Sequence, residues 1–281
     1  MPSPRGSQSG RYRPVKSKRS SLLPASIVII LIAGISVLYW FAQKNAIEIS
    51  SENLCPDSSN IREVAAVLLD VTDKISPAEQ VQIRQTIDEI KGSLPRFGHL
   101  RLYVLSHDLR FGQQAVVDLC NPGTGKNQSI IYQNPKLAQK RWKERFSDVL
   151  DEALEIAAVR EPSDRSEILE AIRLISIEFL SDPANGGKDR SLFVISDFLQ
   201  HIPGGFSQYR SEQFSAEEFL ASQYARSVAM DLREVDIELF YISRPQYSHY
   251  QSAQHKRFWA TVLNEFGGNV TRIKRLFGGH N

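Results

Sequence analysis

The chain has 281 residues, 42% hydrophobic and 23% charged, with a formal net charge of +2. That composition excludes a collagen-like, a wholly disordered or a multi-span membrane protein, and the length allows one or two domains. The net charge conceals two unlike parts: residues 1–21 carry six basic side chains and no acid, which leaves 28 basic against 32 acidic residues in the remainder. A mildly acidic body gives no electrostatic basis for nucleic-acid binding, and no nucleic-acid partner is expected.

Residues 1–21, rich in Arg, Lys, Ser and Pro, read as a disordered cytoplasmic tail. Residues 22–42 (LLPASIVIILIAGISVLYWFA) carry no charge. As a helix they would reach roughly 31 Å at 1.5 Å per residue, the thickness of a bilayer's hydrocarbon. Tyr39, Trp40 and Phe41 close the stretch with rings that favour the interface. The basic run before it places the N-terminus in the cytoplasm and everything beyond the span outside, in a bacterial periplasm or an equivalent compartment. A cleaved signal peptide fits less well. The stretch is long for one, and cleavage after Ala46 would set Lys44 where a small residue is needed. A single-pass anchor is therefore expected, followed by a polar linker over residues 43–60 and one domain over residues 61–281.

Export changes the reading of the two cysteines, which are too few for a disulfide scaffold or a Cys-based zinc site. Cys55 precedes the first strand and Cys120 ends a later one. In an oxidising compartment a disulfide between them is expected, against the alternative of two separate buried thiols.

Within the domain, residues 64–69 (VAAVLL) form a continuous apolar run ending at Asp70, the pattern of a strand buried on both faces. Ser76-Pro77-Ala78-Glu79 then opens a helix with a capping box and Pro at its first position. Pro95 and Gly98 end it. Strands follow at 100–105 and 114–119, joined as a hairpin through Phe111-Gly112. Helices are expected at 136–159 and 167–180, a buried strand at 191–195, and a helix at 215–232 opened by Ser215 and Glu218. A strand at 235–242, a helix at 252–266 and a strand at 270–273 complete the domain. This alternation predicts an α/β fold, a doubly wound, mostly parallel sheet covered on both faces.

Ligands of open α/β sheets bind beyond the strand carboxyl ends. Asp70 and Asp197 stand at two such ends. Asp70-Val71-Thr72-Asp73-Lys74 surrounds the first, and Ser166 lies ahead of a helix. In these residues the chain resembles the von Willebrand factor A-type fold, a Rossmann-like architecture. That family's metal-ion-dependent adhesion site uses Asp-x-Ser-x-Ser after the first strand, a Thr before a later helix and an Asp after the fourth strand. The resemblance implies that Asp70, Thr72, Ser166 and Asp197 could ligate Mg²⁺ or Ca²⁺, with Asp73 and Lys74 beside them in the binding face. Lys74 departs from the pattern: an ammonium cannot ligate a hard cation and could itself neutralise the aspartates. The site then holds Mg²⁺ or Ca²⁺ with altered ligands, or an internal Lys–Asp pair with no metal.

Other signals are weaker. Gly123-Thr124-Gly125-Lys126 lacks the first Gly and the final Ser/Thr of a phosphate loop. Six histidines show no metal-ligand spacing, and His249 and His255 are expected on surface segments. Basic residues 136–145 read as a solvated helix face. Asn127-Gln128-Ser129 and Asn269-Val270-Thr271 are glycosylation sequons, relevant only in a eukaryotic secretory compartment. The segment 202–213 (IPGGFSQYRSEQ) starts just past Asp197 and could rim a binding face. The sequence thus predicts a membrane-anchored domain that binds protein partners in an envelope complex and catalyses no reaction. The alternative is a metal-dependent phosphoesterase using Asp70, Asp73 and Asp197.

Overall fold

The computed structural model describes residues 22–44, 47–105, 115–125, 134–210 and 215–277. The basic tail, the Phe111-Gly112 turn and the Asn127 sequon lie outside the described residues. The chain divides into two compact units between Ile47 and Glu48. The first holds one helix, α1 (Leu22–Lys44). Its side chains at 27–41 are exposed. Among the described residues no helix is long and apolar enough to cross a membrane, so the span expected at residues 22–42 is not shown.

Among the described residues, the second unit is built on six strands. These are β1 (Glu63–Asp70), β2 (His99–Leu105), β3 (Val117–Cys120), β4 (Asp189–Ser196), β5 (Val235–Ser243) and β6 (Asn269–Phe277). They lie in the order β3-β2-β1-β4-β5-β6. Only the β2–β3 pair is antiparallel, as the expected hairpin requires; every other pair is parallel. β1 sits at the centre, and from Val64 to Asp70 it is wholly buried. A strand flanked on both sides and covered on both faces has no solvated positions, hence the unbroken apolar run. After β3 the chain returns to the other side of β1 to lay down β4. The strand order reverses there, which opens a crevice between the carboxyl ends of β1 and β4.

Helices cover both faces. α2 (Pro77–Ser93) begins at the expected capping box: the Ser76 hydroxyl accepts from the Glu79 N–H, and the Ser76 N–H donates to Glu79 Oε2. α3 (Pro135–Trp142) runs through one wide π turn at Lys143–Ser147 into α4 (Asp148–Ala158). α5 (Ile168–Ile175) continues through a similar turn at Ser176–Leu180. α8 (Ala253–Glu265) is capped by Ser252. The helix expected over 215–232 is instead two short ones, α6 (Ala216–Ala221) and α7 (Gln223–Ser227). The Ser222 hydroxyl accepts from the Ala225 N–H, so this residue ends one helix and starts the next.

Side chains alternate across the sheet. Val64, Ala66 and Leu68 pack with α5 and α8 in one core, while Ala65, Val67 and Leu69 pack with α2 and α4 in the other. The second core includes a buried cation. Lys91 on α2 donates to Ser147 Oγ at 2.9 Å and to Asp151 at 3.0 Å, tying α2 to the α3–α4 path. The expected disulfide is present, joining Cys55 to Cys120 across 65 positions.

Candidate functional site

Asp70 is the last residue of β1 and is buried at 5% exposure. Its Oδ1 accepts from the Thr72 N–H at 3.0 Å and from the Thr72 hydroxyl at 2.6 Å. Its Oδ2 accepts from the Ser196 hydroxyl at 2.7 Å and the Ser166 hydroxyl at 3.2 Å. The fold therefore gathers three segments on one carboxylate: the end of β1, the end of β4 and the loop before α5. Ser166 is held there by a short backbone bridge to His201, each N–H donating to the other's carbonyl at 2.9 Å. Of the residues expected in the site, Asp70, Thr72, Asp73, Ser166 and Asp197 converge.

Asp197 follows β4, and its Oδ1 accepts from the Leu199 N–H. Burial pushes its carboxyl well above the usual carboxylate range, and repulsion from Asp70 adds to that. Asp73 lies close enough to share a hydrogen bond with it and raises it further. Burial raises Asp70 too, against the lowering hydrogen bonds from Thr72 and Ser196.

Lys74 is exposed. The buried cation beside Asp197 is Arg244, one residue past β5, with 7% of its side chain accessible. Its Nε lies 3.5 Å from Asp197 Oδ2. Its Nη1 donates to Glu79 Oε1 at 2.7 Å and to the Lys74 carbonyl at 3.2 Å. Lys74 thus contributes a backbone oxygen where an ammonium was expected to act. Gln251 locks this corner, accepting from the Arg244 N–H and donating to the Asp197 and Ile242 carbonyls. The cation expected beside the aspartates was Lys74, their neighbour in sequence; Arg244 lies far from them along the chain, and a charge directly after a buried strand was its available signal.

Above these groups opens a cleft of about 350 Å³. Thr72, Asp73, Ser166 and Asp197 line it, together with His201, Tyr209 and Tyr247. Tyr209 belongs to the segment expected to rim a binding face, and its ring packs edge-on against His201 and Tyr247 at 5.6 and 5.1 Å. Burial, with Asp197 and Asp73 nearby, holds its phenol far above its ordinary range, so it stays neutral.

His255 corrects the expectation of a surface position. It is fully buried, hydrogen-bonded to the Tyr241 hydroxyl through Nδ1 and contacted by the Trp259 indole N–H. Burial holds it neutral, with a pKa lowered to about 3. His249 is exposed as expected. The basic helix face is paired where Lys143 meets Asp148 at 2.7 Å and Lys140 meets Glu144 at 3.7 Å.

The side chains that meet Asp70, those of Thr72, Ser166 and Ser196, all present hydroxyl oxygens, which suit a hard divalent cation. Burial raises both aspartates, with Asp73 adding to Asp70 and Asp70 adding to Asp197, and a bound cation would relieve that crowding of acids. A different group, Cys55, His99 and Cys120, brings three potential ligand atoms within 4.8 Å of one another. Its sulfurs and imidazole are not a Mg²⁺ or Ca²⁺ environment.

No protein-family model and no curated protein matches the chain. Among solved structures, an aerotolerance-related membrane protein from Bacteroides fragilis NCTC 9343, carrying multiple mutations to serines, is similar. The match has 9% identity and a TM-score of 0.37, covering 76% of this chain and 90% of that one.

Proposed function

We propose that the chain is a single-pass membrane protein whose domain over residues 61–281, of von Willebrand A-like type, lies outside the cytoplasm. There it binds protein partners of an envelope complex through the cleft over Asp70 and Asp197. The observation that carries this reading is the convergence of Thr72, Asp73, Ser166 and Asp197 on one cleft where the strand order reverses, with the buried Asp70 bonded to Thr72 and Ser166. The uncharged stretch 22–42 and the basic tail before it support the anchor and its orientation.

A divalent cation at this site would be held by Asp70, Thr72, Ser166 and Asp197. Bound there, it supplies a Lewis-acidic position that a partner's carboxylate can complete. The chain's own residues do the rest. Asp70 gathers the three hydroxyls, Arg244 offsets the charge of Asp197, and Gln251 fixes the two strand ends against each other. Adding Mg²⁺, Mn²⁺ or Ca²⁺ is expected to raise the melting temperature of the wild type but not of Asp70→Ala. No shift up to millimolar ion removes the cation from the proposal.

The binding role is tested by chemical crosslinking in native membranes followed by recovery of the chain. A discrete partner should be recovered with the wild type and lost with Asp73→Ala, whose side chain is only half-buried. Recovery undiminished by Asp73→Ala contradicts the cleft as the binding face. Phosphoester turnover abolished by Asp70→Asn would replace this reading with the hydrolase.

A further inference from the structure

We propose that Cys55, His99 and Cys120 form a zinc clasp when their disulfide is reduced. The antiparallel register sets His99 directly opposite Cys120 on the β2–β3 hairpin, and the disulfide brings Cys55 over the same pair. A ring nitrogen of His99 and both sulfurs lie within 4.8 Å of one another. Both cysteines are buried, Cys120 completely.

The imidazole is prepared for a metal by its neighbours. Asp118 on β3 bonds His99 Nε2. Asp118 is held in turn by Arg101, its cross-strand partner, whose Nε donates to Oδ2 at 2.8 Å. A carboxylate that accepts the Nε2–H fixes the tautomer and leaves the lone pair on Nδ1. This is the carboxylate–histidine arrangement that orients and strengthens metal-bound imidazoles. Two thiolates alone are too few for a zinc site, but with the His99 imidazole added they suit Zn²⁺ and leave a fourth position for water. Two sulfurs on one tetrahedral zinc stand about 3.8 Å apart, given Zn–S bonds near 2.3 Å. Reaching that spacing requires the Cys55 sulfur, which lies outside the strands, to draw back from Cys120.

The chemistry balances with a dithiol as reductant. The disulfide takes two electrons and two protons, giving two Cys thiols, while the dithiol closes to its own disulfide. Zn²⁺ then displaces both thiol protons to solvent. One clasp replaces the other, and the segment around Cys55 stays fastened to the edge strand in either redox state.

The test uses the full chain in detergent, reduced anaerobically with a phosphine and titrated with Co²⁺ as a spectroscopic probe. One Co²⁺ per chain is expected, with thiolate-to-cobalt absorption and four-coordinate ligand-field bands, displaced by Zn²⁺. Cys55→Ser should abolish the charge-transfer band. Asp118→Asn should weaken binding roughly 10- to 100-fold while keeping that band. A reduced chain that shows no cobalt spectrum at millimolar ion overturns the proposal, as does binding undiminished by Cys55→Ser. Melting supplies a second readout. Zn²⁺ should raise the melting temperature of the reduced wild type, and a reduced chain that stays unfolded or unshifted in Zn²⁺ also overturns it.

Discussion

Arg244 is buried between Glu79 and Asp197, and neither carboxylate has ready access to water. Removing the guanidinium strands both acids in a low-dielectric place. Arg244→Met is therefore expected to destabilise the domain by about 3–5 kcal/mol, the cost of breaking a buried ion pair from one side; urea unfolding measures it. His255 gives a pH dependence of definite sign. Its folded pKa is lowered to about 3 from 6.5, so the unfolded chain binds more protons between those values. The stability it contributes is complete above pH 6.5 and is lost as pH falls toward 3. His255→Asn should flatten this acid limb in unfolding measured from pH 7 to pH 4. Both residues mark the limits of reading chemistry from the sequence. His255 follows the cap of α8 among polar neighbours, which looks like surface, yet helix geometry turns it inward beside Trp259. The aspartates and hydroxyls at strand ends were legible because their position in the chain predicts the crevice. Their mutual distances, and the guanidinium among them, depend on tertiary placement.

β1 and β4 were readable because strands buried on both faces leave no polar alternation, and α2 because Ser76 and Glu79 form a reciprocal cap. α6 and α7 were not. The cap at Ser215 and Glu218 announces one helix, while the five-residue step from Phe219 to Tyr224 breaks the spacing that Tyr224, Val228 and Leu232 keep, and that step is the available sign of the restart at Ser222. β6 runs on to Phe277, past the expected end at 273. Its outer half alternates charged residues, with Arg272 reaching Glu238 at 2.8 Å and Lys274 reaching Glu89 at 2.8 Å. An edge strand can carry such charges, which a test for apolar runs overlooks. The edge at β3 is fastened differently, by the disulfide. Closing a loop of 65 positions stabilises the fold by about 4 kcal/mol in the chain-entropy model. Cys120→Ser is expected to lower stability by about that amount in denaturant titration, and an unchanged midpoint would contradict it.

On the scale of the whole molecule, the order β3-β2-β1-β4-β5-β6 follows from a hairpin at one edge and a return across β1. The alternation of elements predicted the fold class, but not which strands neighbour which. The acidic cleft at the reversal point is the consequence that matters for function. The charge split along the chain sets the expected setting, a cationic tail on one side of a membrane and a mildly acidic domain on the other. The central claim is that this domain meets a protein partner at the carboxyl end of its sheet. A photo-crosslinking amino acid placed at Tyr247, in the cleft, or at Lys188, just before the amino end of β4, tests it most directly. In native membranes a discrete protein adduct should form from position 247 and not from 188. An adduct from 188 alone, or from neither position, would contradict the account.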